Sequence, residues 1–206
     1  IVNRYNPDAL RYFFIANGPE KRDTDFSWHE FVERNNNELL GAYGNFVNRT
    51  LAFIAKYLGG IVPNGVIENE IAKQIKVLFF TVGQKIEDGQ FKDALESIFE
   101  FVRFGNRYFD ANEPWKTRNN NPEKCNQTLF NCVQIIANLS ILLEPFLPFS
   151  SEKVFEWLNL KAEWCEQWIQ QGYVLPQISI LFERLDKKIV DEEYGKLVES
   201  NILSHN

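Results

Sequence analysis

An all-α fold, an antiparallel helical bundle of about five main helices, is predicted by three observations. Apolar residues recur at helical period, as in Phe91, Leu95, Ile98, Val102 and Phe109. The stripes are punctuated by capping residues, glycines and prolines with short connections between them. No alternation of strand and helix patterns, such as a nucleotide-binding α/β sheet requires, occurs along the 206 residues.

Each element follows from local signals. Residues 7–17 read as a first helix, with Asn6 as N-cap, Pro7 at the first helical position and Gly18-Pro19 as the stop. Lys21 to Asp25 is a polar turn. Ser27-Trp28-His29-Glu30 matches a capping box, in which Ser and Glu satisfy each other's free backbone N–H groups. From there Phe31, Leu39, Leu40, Tyr43, Phe46, Val47, Leu51 and Ile54 carry a helix to Gly59-Gly60. The Asn35-Asn36-Asn37 run inside it predicts a kink or break. A third helix spans about Glu68 to Glu87 and closes at Asp88-Gly89. The fourth starts near Phe91, and Pro114 must break or kink it. Asn119 to Pro122 reads as a loop, and a fifth, very apolar helix covers about Glu123 to Leu143. A short helix capped by Ser150 or Ser151 carries Val154, Phe155 and Leu158. After Pro176, residues 178–182 suit a short extended segment, and Lys187 to Ser200 an amphipathic, mostly exposed last helix.

Composition narrows the function. Hydrophobic residues make up 45% and aromatics 15%, with 18 Phe, which is globular rather than disordered. No apolar run is long enough to span a bilayer, and Ile1 to Arg4 lacks a signal-peptide core, so a cytoplasmic protein with no membrane partner is expected. The formal net charge of −6 argues against sequence-independent polyanion binding, and no DNA partner is expected. It leaves room for RNA read by a local patch of aromatic, amide and guanidinium groups. The absence of Met and the start at Ile1 suit a piece of a longer protein.

Catalytic patterns are missing. The sequence has no Gly-rich phosphate loop, no GxSxG, no HExxH and no EF-hand loop. Cys125, Cys132 and Cys165 form no CxxC pair and read as reduced, half-buried thiols. His29 and His205 are isolated, so no metal site is expected. Glu96 and Glu100 fall on the polar side of their helix, as solvated charges do. No catalytic residue and no cofactor are therefore assigned to this chain.

Two features invite a ligand. Asn45 and Arg49 are four apart and share a helix face offset from the apolar stripe. Side by side, an amide and a guanidinium read base edges or phosphates; the same spacing also suits an ordinary polar surface pair. The second is Asn106-Arg107-Tyr108-Phe109-Asp110, followed by Asn112-Glu113-Pro114-Trp115-Lys116. Trp115 follows a proline at a helix end in a polar setting, where it either stacks on an unpaired base or seals the end of the bundle.

At these residues a resemblance enters. Asp8-Ala9-Leu10-Arg11-Tyr12 resembles the DALR signature of anticodon-binding helical domains in class I aminoacyl-tRNA synthetases. Asp23 to Trp28, Phe31 to Asn35, Gly44 to Arg49, Asn106-Arg107-Tyr108 with Pro114-Trp115, Leu143 to Phe149 and Leu181 to Asp186 look, in order, like segments of the methionyl-tRNA synthetase family. The resemblance spans nearly the whole chain, and its specificity lies in the ordered set.

The resemblance implies function. The residue at the position of Trp115 stacks on a base of the CAU anticodon of methionine tRNA, and those matching Asn45 and Arg49 also contact the anticodon. Asn106 and Arg107 form a second tier that holds the Trp-bearing corner, and Asp8 and Arg11 make structural contacts. Residues 1–29 would end a connecting, stem-contact region, and 30–206 would form the anticodon-binding domain. The family's HIGH-like and KMSKS-like motifs, which bind ATP (with Mg), would belong to an upstream catalytic domain of the same chain.

Overall fold

The structure, a computed structural model, describes residues 5–18, 26–193 and 195. In chain order it contains α1 (Pro7–Ala16), α2 (Trp28–Arg34), a π-helical stretch (Asn35–Gly44), α3 (Asn45–Tyr57), α4 (Asn69–Glu87), α5 (Phe91–Asn112), α6 (Pro114–Asn120), α7 (Pro122–Leu143) and α8 (Pro148–Leu158). The predicted all-α bundle is therefore observed: α2, the π stretch and α3 run on as one composite helix, and with α4, α5, α7 and α8 they make its long members.

The axis is α7. From Thr128 to Leu143 every residue is buried, so along this stretch the helix has no solvent face. α3, α4, α5, α6 and α8 all pack against it. The aromatic excess gathers elsewhere, where Tyr5, Phe13, Phe26, Trp28 and Phe31 pack edge-to-face between α1 and α2.

A helix buried all round must satisfy its polar side chains internally. On α7, Gln134 accepts from the Ile169 N–H and donates to its carbonyl (2.8 and 2.9 Å), and Asn138 does the same to Gln167 (3.1 and 3.0 Å). Gln127 pairs likewise with both backbone groups of Val66. These amides act as substitute peptide groups. They pin irregular segments to the bundle in place of strand pairing, and the only isolated β-bridge among the described residues joins Ile61 and Val174.

The asparagine run departs from expectation for the same reason. The helix is not broken there; it widens into the π stretch instead. Asn36 accepts from the Leu185 N–H and donates to its carbonyl (both 2.9 Å), and Asn35 donates to the Glu183 carbonyl at 3.0 Å. The run is thus a clamp for the chain around 183–185. Residues 178–182, expected to be extended, are irregular and form no strand.

Two boundaries and the burial of two cysteines also differ from expectation. Pro114 breaks the helix as expected, but α6 continues to Asn120, so only Asn121 interrupts the path into α7. Cys125 and Cys132 are fully buried rather than half-buried. The last helix begins at 188 and is described to 193 and at 195; the rest of that predicted span lies outside the described residues, as do the polar turn at 21–25 and His205. No described helix is long and apolar enough to cross a membrane.

Neither Ser150 nor Ser151 caps α8; both lie inside it. The capping group comes from α1. The fully buried Asp8 carboxylate accepts from the backbone N–H groups of Phe149 (3.4 Å) and Ser150 (2.6 Å) at the start of α8. Arg11, one turn along, donates to the carbonyls of Phe146 (2.8 Å) and Pro145 (2.9 Å). The motif at 8–11 is thus a staple that fastens α1 to the corner between α7 and α8, the structural role expected of Asp8 and Arg11.

Asp8→Ala leaves two backbone donors without their partner and is expected to cost about 1–3 kcal/mol in a denaturation experiment. The Asp8 carboxyl is raised above its ordinary value of 3.8: burial disfavours the charge more than Ser150, Phe149 and Arg11 favour it. The folded state then holds this proton more tightly than the unfolded chain. Ionisation of Asp8 therefore subtracts stability as pH rises from 3.8 through the folded pKa. Asp8→Asn should flatten that part of the stability–pH curve; an unchanged slope would contradict the assignment.

Candidate nucleic-acid interface

The site is built on one column of α3. Asn45, Arg49, Phe53 and Tyr57 recur every four residues and so lie on one helix face. The column is brought against α5 by a close crossing, in which a Cβ on Gly105 would meet the Phe46 ring at 2.6 Å. Only glycine allows this approach.

Arg49 is held from several sides. It donates to Asp110 Oδ1 at 2.8 Å and to the Asn106 carbonyl at 2.7 Å, and its guanidinium carbon lies 4.2 Å from the centroid of the Phe109 ring. Its Nε is buried without a partner. Asn106 in turn donates to the carbonyls of Ala42 (3.1 Å) and Val102 (3.2 Å), tying the π stretch to α5. Asn45, at the head of the column, is exposed.

Trp115 owes its position to the break between α5 and α6. A residue before proline is disfavoured in the helical conformation, and Glu113 takes the left-handed region, with φ 45°. For a non-glycine residue this costs on the order of 1–3 kcal/mol, strain that tends to sit at functional sites. The turn places Pro114 at the first position of α6 and Trp115 at the second. Trp115 is 44% exposed, with its ring centroid 6.0 Å from that of Phe109 and the planes 33° apart. It does not seal the bundle; it presents an open π surface.

From Phe109 the aromatic surface continues to Phe53 (6.5 Å), then to Tyr57 (4.7 Å), whose ring carries the Arg118 guanidinium at 3.9 Å and the Lys56 ammonium at 5.0 Å. The Tyr57 hydroxyl is lowered from its ordinary value, chiefly by Lys56 and then by Arg118. Neither cation forms a salt bridge with a described residue. Other cations near the column are already neutralised: Arg103 by Glu38 and Glu96, Lys116 by Glu113.

The structure thus brings Arg49, Asn106 and Trp115 together around Phe109, with Asn45 at the column's head. Arg107, next to Asn106 but turned by one residue of helix, is exposed and lines the groove between α4 and α5 with Glu70 and Lys73. Sequence reading missed Phe53 and Tyr57 and gave Asp110 no role. The first two were recoverable by extending the Asn45–Arg49 spacing; Asp110 was not, since its partner lies on another helix. Among the described residues no group of His, Cys, Asp and Glu can hold a metal ion. An array of π faces, amides and unpaired cations suits stacking on bases and pairing with phosphates.

Comparison with known proteins gives the family. Residues 1–51 match the family described as tRNA synthetases class I (M), and residues 68–197 the anticodon-binding domain of tRNA ligase. The methionine–tRNA ligase of Bacillus cereus (strain B4264) is 54% identical over 198 residues, covering 96% of this chain and 36% of that protein. Methionine–tRNA ligase 1 of Alkaliphilus oremlandii (strain OhILAs) is 50% identical, covering 96% and 37%. The chain thus spans little more than a third of the relatives it matches. The apo Mycobacterium tuberculosis methionyl-tRNA synthetase superposes with a TM-score of 0.82 at 24% identity, covering 89% of this chain and 40% of that one, and so supports the fold. The same enzyme bound by methionyl-adenylate gives 0.79 at 25% identity, covering 85% and 37%. By its order of helices and its sequence relatives, the chain belongs to the anticodon-binding helical domains of tRNA ligases, in the methionyl-tRNA synthetase family.

Proposed function

We propose that this bundle reads the CAU anticodon of methionine tRNA, so that an upstream catalytic domain of the same chain can join methionine to that tRNA with ATP (and Mg). The observation that carries the reading is the Arg49–Phe109–Trp115 cluster: an open indole beside a guanidinium already fixed in place. Trp115 stacks on an anticodon base and offsets the cost of taking it from its own stack. Asn45 and Arg49 supply the hydrogen bonds that tell bases apart. A wrong base leaves those polar groups unpaired and is rejected. Asn106 positions Arg49 through its carbonyl. Lys56 and Arg118 meet backbone phosphates.

In this reading residues 1–29 end a connecting region, 30–206 form the recognition domain, and the parent enzyme works in the cytoplasm. The bundle itself supplies no acid, base or nucleophile to the ligase reaction.

Trp115→Ala should weaken binding of a CAU anticodon stem-loop by about 1–3 kcal/mol, roughly 5- to 150-fold, with thermal unfolding unchanged. Unaltered affinity would remove Trp115 from the site. A CAU stem-loop should bind more tightly than a GAU stem-loop at the same salt concentration, and equal binding would sink anticodon reading. Incubated with methionine and ATP, the chain alone should form no methionyl-adenylate.

A further inference from the structure

A groove opens at the head of the α3 column. It encloses about 410 Å³ between the π stretch with the first turn of α3 on one side and residues 180–184 on the other. That volume falls within the range of ligand pockets, roughly 300–1,000 Å³. Gly41 and Gly44 line its floor, and Asn45, Asn48, Ile180 and Arg184 its sides.

Its walls are built rather than incidental. Phe182 is buried and packs so near Gly44 that a Cβ there would meet its ring at 3.2 Å. The Asn35 and Asn36 clamps hold the chain immediately beyond, at Glu183 and Leu185. The wall next to the floor is thus fixed before any ligand arrives. π-helical segments recur at functional sites, and this one forms a side of the groove.

The polar chemistry of the rim is unused. The side chains of Asn45, Asn48 and Arg184 are exposed and make no hydrogen bond or ion pair with any described residue. Among the described lining residues there is no carboxylate, although the chain as a whole is acidic. The neighbouring Glu183 lines a different cavity, with Tyr5 and Asn35. Two amides offer donors and acceptors to a base edge, and one guanidinium offers a fork to a phosphate.

We propose that this groove takes one unstacked loop nucleotide outside the anticodon triplet, its base between Asn45 and Asn48 over the glycine floor and its phosphate at Arg184. The occupant is RNA because the groove is continuous with the anticodon column: Asn45 belongs to both. The inference rests on the anticodon reading and extends it, since it makes the segment around 180–184 part of the RNA-binding surface.

The test uses the full chain and a CAU stem-loop in which each loop nucleotide outside the triplet is replaced in turn by an abasic residue. In the unmodified protein one such replacement should weaken binding about 5- to 100-fold. In the Asn48→Ala/Arg184→Ala variant that penalty should vanish, while the penalty for an abasic first anticodon base stays. The plot of log affinity against log salt should also become shallower by about 0.7 for the lost phosphate contact. Both residues are exposed and unbonded, so the variant should keep its melting temperature. A variant with the abasic profile and salt slope of the unmodified protein overturns the groove and leaves the anticodon reading intact. A Trp115→Ala variant that binds as tightly as the unmodified chain, or a chain that binds no stem-loop, overturns both.

Discussion

The absence of any solvent face on α7 constrains the rest of this molecule. A helix buried from Thr128 to Leu143 can be covered only if other elements surround it, and short connections then force those elements to run antiparallel. It also obliges every polar side chain on α7 to find a partner inside. Gln134 and Asn138 do so by pairing with irregular backbone at Ile169 and Gln167, which draws the chain after α8 back along the axis. Asn131 does so by donating to Glu68 and to the Tyr108 hydroxyl, which joins the start of α4 to α5. Burial thus decides where the loops lie as well as where the helices pack.

The proposed RNA-binding surface inherits its rigidity from that scaffold. α5 is fixed by α7 on one side and approached by α3 at Gly105 on the other, so Arg49 arrives over Phe109 with little freedom left. Its guanidinium has two hydrogen-bonded acceptors before any base is present. A side chain ordered in advance loses less entropy when it binds. The strained Glu113 has the same logic. Its left-handed backbone is sustained by Pro114 and by the hydrogen bonds that the Lys116 and Thr117 N–H groups donate to its carbonyl, and the turn it makes sets Trp115 beside Phe109.

Periodicity made the helices legible in the sequence, since one apolar face per helix is a local signal. Pro114 announced the α5–α6 corner, and the i, i+4 spacing announced Asn45 with Arg49. What stayed hidden were groups whose partners are distant in sequence. Asp8 caps a helix more than 140 residues away, so Ser150 and Ser151 looked like the caps of α8. Asn35 and Asn36 looked like helix breakers because the carbonyls they hold lie nearly 150 residues on. Amides are poor helix formers only until something at long range uses them. Trp115 was ambiguous for a related reason: whether an indole seals a core or stands open depends on the angle of a turn, and that angle is set by Glu113.

The charge distribution resolves the tension between an acidic chain and a polyanionic ligand. Most cations near the site are already paired, Arg103 with two carboxylates, Lys116 with Glu113 and Arg49 with Asp110. Those left without a carboxylate lie where stacking is also possible, with Lys56 and Arg118 over Tyr57 and Arg184 at the groove. Repulsion from the rest of the surface disfavours RNA laid down at random, because long-range attraction is what non-specific binding depends on. An RNA that presents unstacked bases can still gain contact at this one strip. In the proposed reading, affinity depends on bases reaching Trp115 and the α3 column rather than on charge alone, and that dependence is the condition for telling one anticodon from another.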